Sequence, residues 1–187
     1  DVGAALDRVH REIVAEQVRL SLELATRALC RLDAGDAAGA RALAQQAVAK
    51  SPGPPMRYLF VRGMAELAGH DAAALQATVA ALRRLQAAHD TDRTAAKAAD
   101  HLAGLGRLQA GDAGGAVPLL RNATTAQGYE YDVYALALAR ALAAAGDTRN
   151  ARTAARTASA RGTPGELRLE LERSRGEAAR LLRTLGG

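Results

Sequence analysis

Residues 134–160 read YALALARALAAAGDTRNARTAARTASA, and this run decides the fold. Two stretches of strong helix formers flank the pair Gly146-Asp147. Glycine takes the left-handed backbone that ends a helix without a Cβ penalty. An aspartate placed directly after it can accept backbone N–H groups as the N-cap of a following helix. Ala139 lies seven residues before the glycine, and Ala151 and Ala158 lie five and twelve after it. Residues seven apart share one helix face, so these small side chains let the two helices approach closely. The unit is an αα-hairpin.

The same unit recurs along the chain. Gly35-Asp36 is accompanied by Ala28, Ala40 and Ala47, and Gly111-Asp112 by Gly104, Ala116 and Ala123. Gly69 has Ala74 and Ala81 at the same offsets, but Arg62 at −7, and its aspartate slips one place to Asp71. The glycines are spaced 34, 42 and 35 residues apart. A period of 20–50 residues is the mark of a repeat architecture. Alanine is about a quarter of the chain, so the period and the Gly-Asp pair carry more weight than the alanines.

This pattern resembles the tetratricopeptide repeat over roughly residues 21–164. Tyr58 matches the large aromatic position of that family's first helix, and Pro52 matches its repeat-ending proline. Leu119-Leu120 after Val117-Pro118 also resembles its second-helix sequences. Asp100 and Ala135 depart from the aromatic position, and the second repeat is open to a one-residue shift. The resemblance implies an all-α, right-handed solenoid of about four helix-turn-helix repeats, with extra helices at both ends. The expected division of one solenoid over 1–187 is an N-terminal segment at 1–20 and repeats at 21–54, 55–92, 93–128 and 129–162. A capping helix follows at 163–187.

Local signals agree. Residues 1–32 form either one long helix or two, with an interrupted apolar stripe through Leu6, Val9, Ile13, Leu20, Leu24 and Leu32. A second helix is expected over Ala37–Lys50, stopped by Ser51-Pro-Gly-Pro-Pro55. The eight extra residues of the long spacing fall near 86–94, with Thr91 or Asp92 as N-cap. Pro118 either kinks its helix or delays the start, and Gln127-Gly128 ends it. Thr163-Pro-Gly-Glu166 reads as a capping box opening the last helix, with Leu167, Leu171, Ala178, Leu181 and Leu185 on its apolar face. Deleting that helix should expose the repeat beneath it.

Composition restricts function. Apolar residues make up 49% of the chain but aromatics only 3%, which suits helices packed through Ala and Leu rather than a sheet. Of 25 basic residues 23 are arginine, a bias expected of a high-GC bacterial genome. The net charge of +5 is C-terminal, since residues 138–187 hold ten arginines against five acidic residues. The bland account is a solvated helix surface; an acidic partner or membrane surface is the other. Cys30, the lone cysteine, sits in an apolar helix and is expected in the core. No apolar run of membrane-spanning length is present. The chain opens on Asp1 without Met, which points to an excised or processed fragment.

Catalytic signatures are missing. His10, His70, His89 and His101 have no ligand spacing, and Gly104-Leu-Gly106 falls inside a helix rather than a phosphate loop. No cofactor or metal is expected. The C-terminal arginines alternate with glutamates, which argues against nucleic acid. What remains is a surface. In the family the first helices of successive repeats line a concave groove. Carried over, the groove positions are Leu22, Ala25 and Leu29; Met56, Leu59 and Gly63; His101, Leu105 and Leu108; Leu136 and Arg140. Lys and Asn, which relatives use to grip a C-terminal carboxylate, do not stand at these positions. The expectation is a non-catalytic interaction module binding a peptide or amphipathic helix through apolar contacts, with self-association possible. Three alternatives stay open. The register could be off, so that these groove residues are core. The residues 6–13 stripe could fill the groove itself, or the chain could be a regulatory or sensor segment of a larger protein such as a transcription regulator or kinase.

Overall fold

The computed structural model describes residues 2–88, 93–125, 132–160 and 168–186, and every regular element among them is an α-helix. In chain order these are α1 (Val2–Asp33), α2 (Ala37–Lys50), α3 (Met56–Ala68), α4 (Ala72–Ala88), α5 (Arg93–Gln109), α6 (Ala113–Thr125), α7 (Asp132–Ala144), α8 (Thr148–Ala160) and α9 (Arg168–Thr184). The all-α class stands. The helices gather into two compact units, Asp1–Leu85 and Gln86–Gly187.

Four turns share one hydrogen-bond pattern. At the end of α1 the Gly35 N–H donates to the Leu32 carbonyl and the Asp36 N–H to the Arg31 carbonyl, at 3.0 and 2.9 Å. These two bonds satisfy carbonyls that the helix end would otherwise leave open, in the Schellman arrangement. Gly111 with Asp112 and Gly146 with Asp147 repeat them. The three glycines have φ of +78°, +82° and +82°. Each aspartate then caps the next helix. Its Oδ1 accepts the N–H three residues on, from Gly39, Gly115 and Asn150 respectively. Its Oδ2 is held by Arg31, Arg107 or the Asn150 amide.

The turn between α3 and α4 corrects the alignment made on Gly69. There the left-handed residue is His70, at φ +54°, while Gly69 sits at −84°. His70 and Asp71 make the two turn bonds, Asp71 accepts from the Ala74 N–H, and Arg41 of α2 holds its Oδ2 at 2.7 Å. The turn is therefore set by the aspartate. Counted from it, the residues four and eleven places on are Ala40 and Ala47, Leu75 and Leu82, Ala116 and Ala123, Ala151 and Ala158, and all are buried. Ala74 and Ala81 are only half-buried. Eight places before each aspartate stand Ala28, Gly63, Gly104 and Ala139, also buried. The sizes trade off. In the third hairpin, a Cβ on Gly104 would come within 2.5 Å of Leu120 Cγ. Gly104 thus makes room for Leu120 of the facing helix, as close packing demands.

These turns give a direct test. Gly35→Ala, Gly111→Ala and Gly146→Ala should each cost about 1 kcal/mol or more, because alanine pays for a left-handed φ in the folded chain. His70→Gly should shift stability the other way by up to about 1 kcal/mol. Urea denaturation of the four variants checks both signs. The carboxylates of Asp71, Asp112 and Asp147 titrate below the ordinary range. Cap bonds from the Ala74 and Gly115 N–H groups are the main cause for the first two, and the Asn150 amide is for the third. Their contribution is present above the ordinary carboxylate pKa and fades only as pH falls through the depressed values.

In the first unit α1 pairs with α2, and α3 packs on both. Leu24, Ala25 and Ala47 form one buried cluster with Leu20, Leu43 and Tyr58 against it, and Ala28, Ala40, Ala44, Val61 and Ala65 form another. α1 is one continuous helix. The extra residues of the long spacing lengthen α4 and α5 to 17 residues each, against 13 for α3 and α6. In the second unit each helix packs on its successor, and α7 touches α5 and α9 as well. α6 begins at Ala113 and runs through Pro118, so its start is not delayed. Ala178 is buried with Ala135, Leu136 and Ala158, Leu181 packs on that cluster, and Leu185 packs on the neighbouring one. Arg152 donates from Nε to the Leu185 carbonyl at 2.7 Å. The caps at residues 91–92, the stop at 127–128, the box at 163–166, Leu167 and the Leu171 side chain lie outside what is described. Cys30 is exposed, contrary to the expectation of a core site. It falls two residues after buried Ala28, about 200° around the helix from the packed face.

Candidate functional site

α1 has 32 residues and α2 has 14, so α2 covers only the second half of α1. The consequence is exposure. Leu6, Val9, Ile13, Val18 and Leu22 are 65, 51, 53, 45 and 43% exposed, and all lie on α1. At 3.6 residues per turn they fall on two lines. Val18, Leu22, Ala25 and Leu29 follow the spacing 4, 3, 4 along one edge. Leu6, Val9 and Ile13 run along the other edge and continue into Leu20 and Leu24, which pack against α2. The stripe through Leu6, Val9 and Ile13 is solvated.

The residues carried over from the family's groove are divided. Leu22 and Arg140 are exposed, and Leu29, Met56, Leu105 and Leu108 are half-buried. Ala25, Leu59, His101 and Leu136 are buried, as is Gly63. Neighbouring helices account for this where contacts are known. Ala25 shares a cluster with Ala47 and Tyr58, and Leu136 lies under α9. Leu105 and Leu108 pack on the core of α6, α7 and α8, and Leu29 packs on that of α1, α2 and α3. Arg140 is ion-paired with Glu177 of α9. Val18 was not among the expected residues. Its position four before Leu22 was the readable signal.

His101 anchors a buried polar cluster. Lys97 and His101, one helical turn apart on α5, are each 1% exposed. Both rest on Tyr134 of α7, with the His101 ring edge-on at 4.7 Å and Lys97 Nζ 5.2 Å from the ring centroid. Burial pushes the His101 pKa down to about 3. The imidazole is therefore neutral when folded, whereas the unfolded chain takes up a proton near pH 6.5. Stability is complete above that value and falls as pH drops from 6.5 towards 3. Between pH 7 and pH 5 this group should remove about 2 kcal/mol. His101→Phe keeps a ring against Tyr134 and should lose that much less over the same interval, read by urea melts at the two pH values.

Other candidates are thin. A surface cavity of about 240 Å³ is lined by Arg121, Thr124, Leu138, Leu142, Asn150 and Thr153 among others. Its threonines already donate to carbonyls of their own helices, Thr124 to Leu120 and Thr153 to Arg149. Among the described residues no group of His, Cys, Asp or Glu could hold a metal ion, and no helix is long and apolar enough to cross a membrane.

No protein-family model, curated protein or solved structure matches the chain.

Proposed function

We propose that the chain is a non-catalytic protein-interaction module of the tetratricopeptide kind, its four Gly/His-Asp turns marking four repeats of a solenoid. Its ligand is an extended peptide or amphipathic helix with apolar side chains. The observation that supports this most is the line Val18, Leu22 and Leu29 on α1. Two large apolar side chains stay over 40% exposed there, at the family's groove edge, next to a third that is half-buried. Solvated leucine and valine on a regular helical line are the preformed half of a helix-in-groove contact. Each Leu-sized side chain covered is worth about 1.5–3 kcal/mol, so three anchors support micromolar binding after ordering costs.

The test is a peptide-display selection on the immobilised chain, followed by affinity measurement with Val18→Asp/Leu22→Asp. Both residues are solvated, so the variant folds. The expected result is at least a tenfold loss of affinity with an unchanged melting temperature. Selected peptides that bind this variant as tightly as the parent would refute the assignment.

A further inference from the structure

The positive charge gathered beyond residue 137 plays no part in the α1 site. Residues 138–187 hold ten arginines against five acidic residues. Part of that charge is spent inside the fold, Arg140 on Glu177 and Arg152 on the Leu185 carbonyl. Arg149 and Arg156 of α8 and Arg121 of α6 are not spent. All three are exposed and have no ion-pair partner among the described residues. Neither α6 nor α8 contains an acidic residue.

The turns account for this surplus. At three of them an arginine holds Oδ2 of the capping aspartate: Arg31 on Asp36, Arg41 on Asp71 and Arg107 on Asp112. At the fourth the Asn150 amide takes that oxygen of Asp147 at 2.7 Å. The Asp147 carboxylate is held low by that amide first, and to a lesser degree by the charges of Arg121 and Arg149. Both guanidiniums therefore stand near the start of α8, two cations against one carboxylate.

These arginines border the cavity of about 240 Å³, whose walls are α6 and α8 and whose floor is the buried Ala135, Leu138 and Leu142 of α7. Arg121 lines it directly. Arg149 and Arg156 lie four before and three after the lining Thr153, on one line of the helix. The hydroxyl protons of Thr124, Thr153 and Thr157 go to carbonyls of their own helices, so the donors left for an anion are the arginines. An apolar floor under a cationic rim fits a ligand that is apolar at one point and acidic around it. The volume falls below the roughly 300–1,000 Å³ of small-molecule sites, so it suits one anchoring side chain. No aromatic residue stands on α6 or α8 to stack a nucleic-acid base. Neither helix exposes a large apolar side chain that would enter a membrane.

We propose that the α6–α8 groove is a second binding site, for an acidic peptide segment that sets one aliphatic side chain on Leu138 and Leu142 and its carboxylates on Arg121, Arg149 and Arg156. The site lies wholly within the second unit and does not rest on the α1 ligand.

Fluorescence anisotropy of the full chain with a labelled peptide, one leucine flanked on each side by three glutamates, tests this at low salt. The expected result is saturable binding that Arg121→Gln/Arg149→Gln weakens about fivefold or more. Arg180→Gln/Arg183→Gln, an equal loss of charge on α9, should leave it unchanged. Exchanging the peptide's leucine for glycine should weaken it as well, and so should Thr153→Phe, which fills the groove from an exposed position. All the replaced side chains are exposed, so the variants fold. Absence of saturable binding, equal weakening by the two arginine pairs, or indifference to the leucine would overturn the proposal. An oligothymidylate or a phosphatidylserine vesicle that displaces the peptide and binds more tightly, with the same dependence on Arg121 and Arg149, would overturn it in favour of nucleic acid or membrane.

Discussion

Replacing Arg62 with leucine should destabilise the first unit by about 3–5 kcal/mol, because it strands a buried carboxylate. Glu66 is buried between α3 and α4. Its Oε1 faces Arg62 Nε at 3.4 Å, and its Oε2 accepts the Thr78 hydroxyl at 2.6 Å. Thr78, itself buried, accepts from Arg62 Nε at 3.0 Å. The three side chains form one closed set across the α3–α4 interface. Removing one member of a buried pair costs more than the pair contributes, since desolvation of the other is left uncompensated. The triple change Arg62→Leu/Glu66→Leu/Thr78→Val should accordingly be far milder than Arg62→Leu alone. Denaturant unfolding of both variants decides it. Two equal losses would mean that the polar set is not acting as a unit.

Removal of α9 should be comparably severe for the second unit. Truncation after Ala160 takes away Ala178, Leu181 and Leu185 and uncovers Leu136, Ala135 and Ala158. It also removes the Leu185 carbonyl bound by Arg152 and the Glu177 partner of Arg140. Uncovering two or three Leu-sized side chains amounts to roughly 3 kcal/mol or more. In a unit of about 100 residues that lowers the melting temperature by over ~10 °C. The newly exposed apolar surface should also promote aggregation. A soluble truncation that melts at the parent temperature would show that α9 is not a cap.

Much of the fold was legible because its signals are local. A glycine before an aspartate states both the end of one helix and the start of the next, and three of the four turns read that way. The fourth shows which residue matters. Asp71 fixes the turn by capping α4, and His70 accepts a left-handed backbone in place of glycine. Counting from the aspartate puts Gly63, Leu75 and Leu82 in register, which counting from Gly69 does not.

The candidate site was less legible, for reasons of packing. Whether Leu136 or Leu22 is open depends on whether a neighbouring helix reaches it, and that depends on helix lengths rather than on either residue. Leu6, Val9 and Ile13 read only as an apolar stripe, because periodicity records that a face is apolar and not whether it is covered. The 14 residues of α2 leave it bare. Lys97 and His101 are polar by type, yet both are buried, and both rest on Tyr134 of a helix far along the chain. Cys30 shows the reverse error, since an apolar neighbourhood in sequence does not fix the phase around a helix.

The central claim, that the Val18–Leu22–Leu29 edge of α1 receives a ligand, is tested most directly by amide chemical-shift mapping. A display-selected peptide is titrated into the ¹⁵N-labelled chain. Saturable shifts concentrated on α1 around these three residues, with little change in α6 and α8, are the predicted result. Shifts confined to α5–α9, or none that saturate, would contradict it.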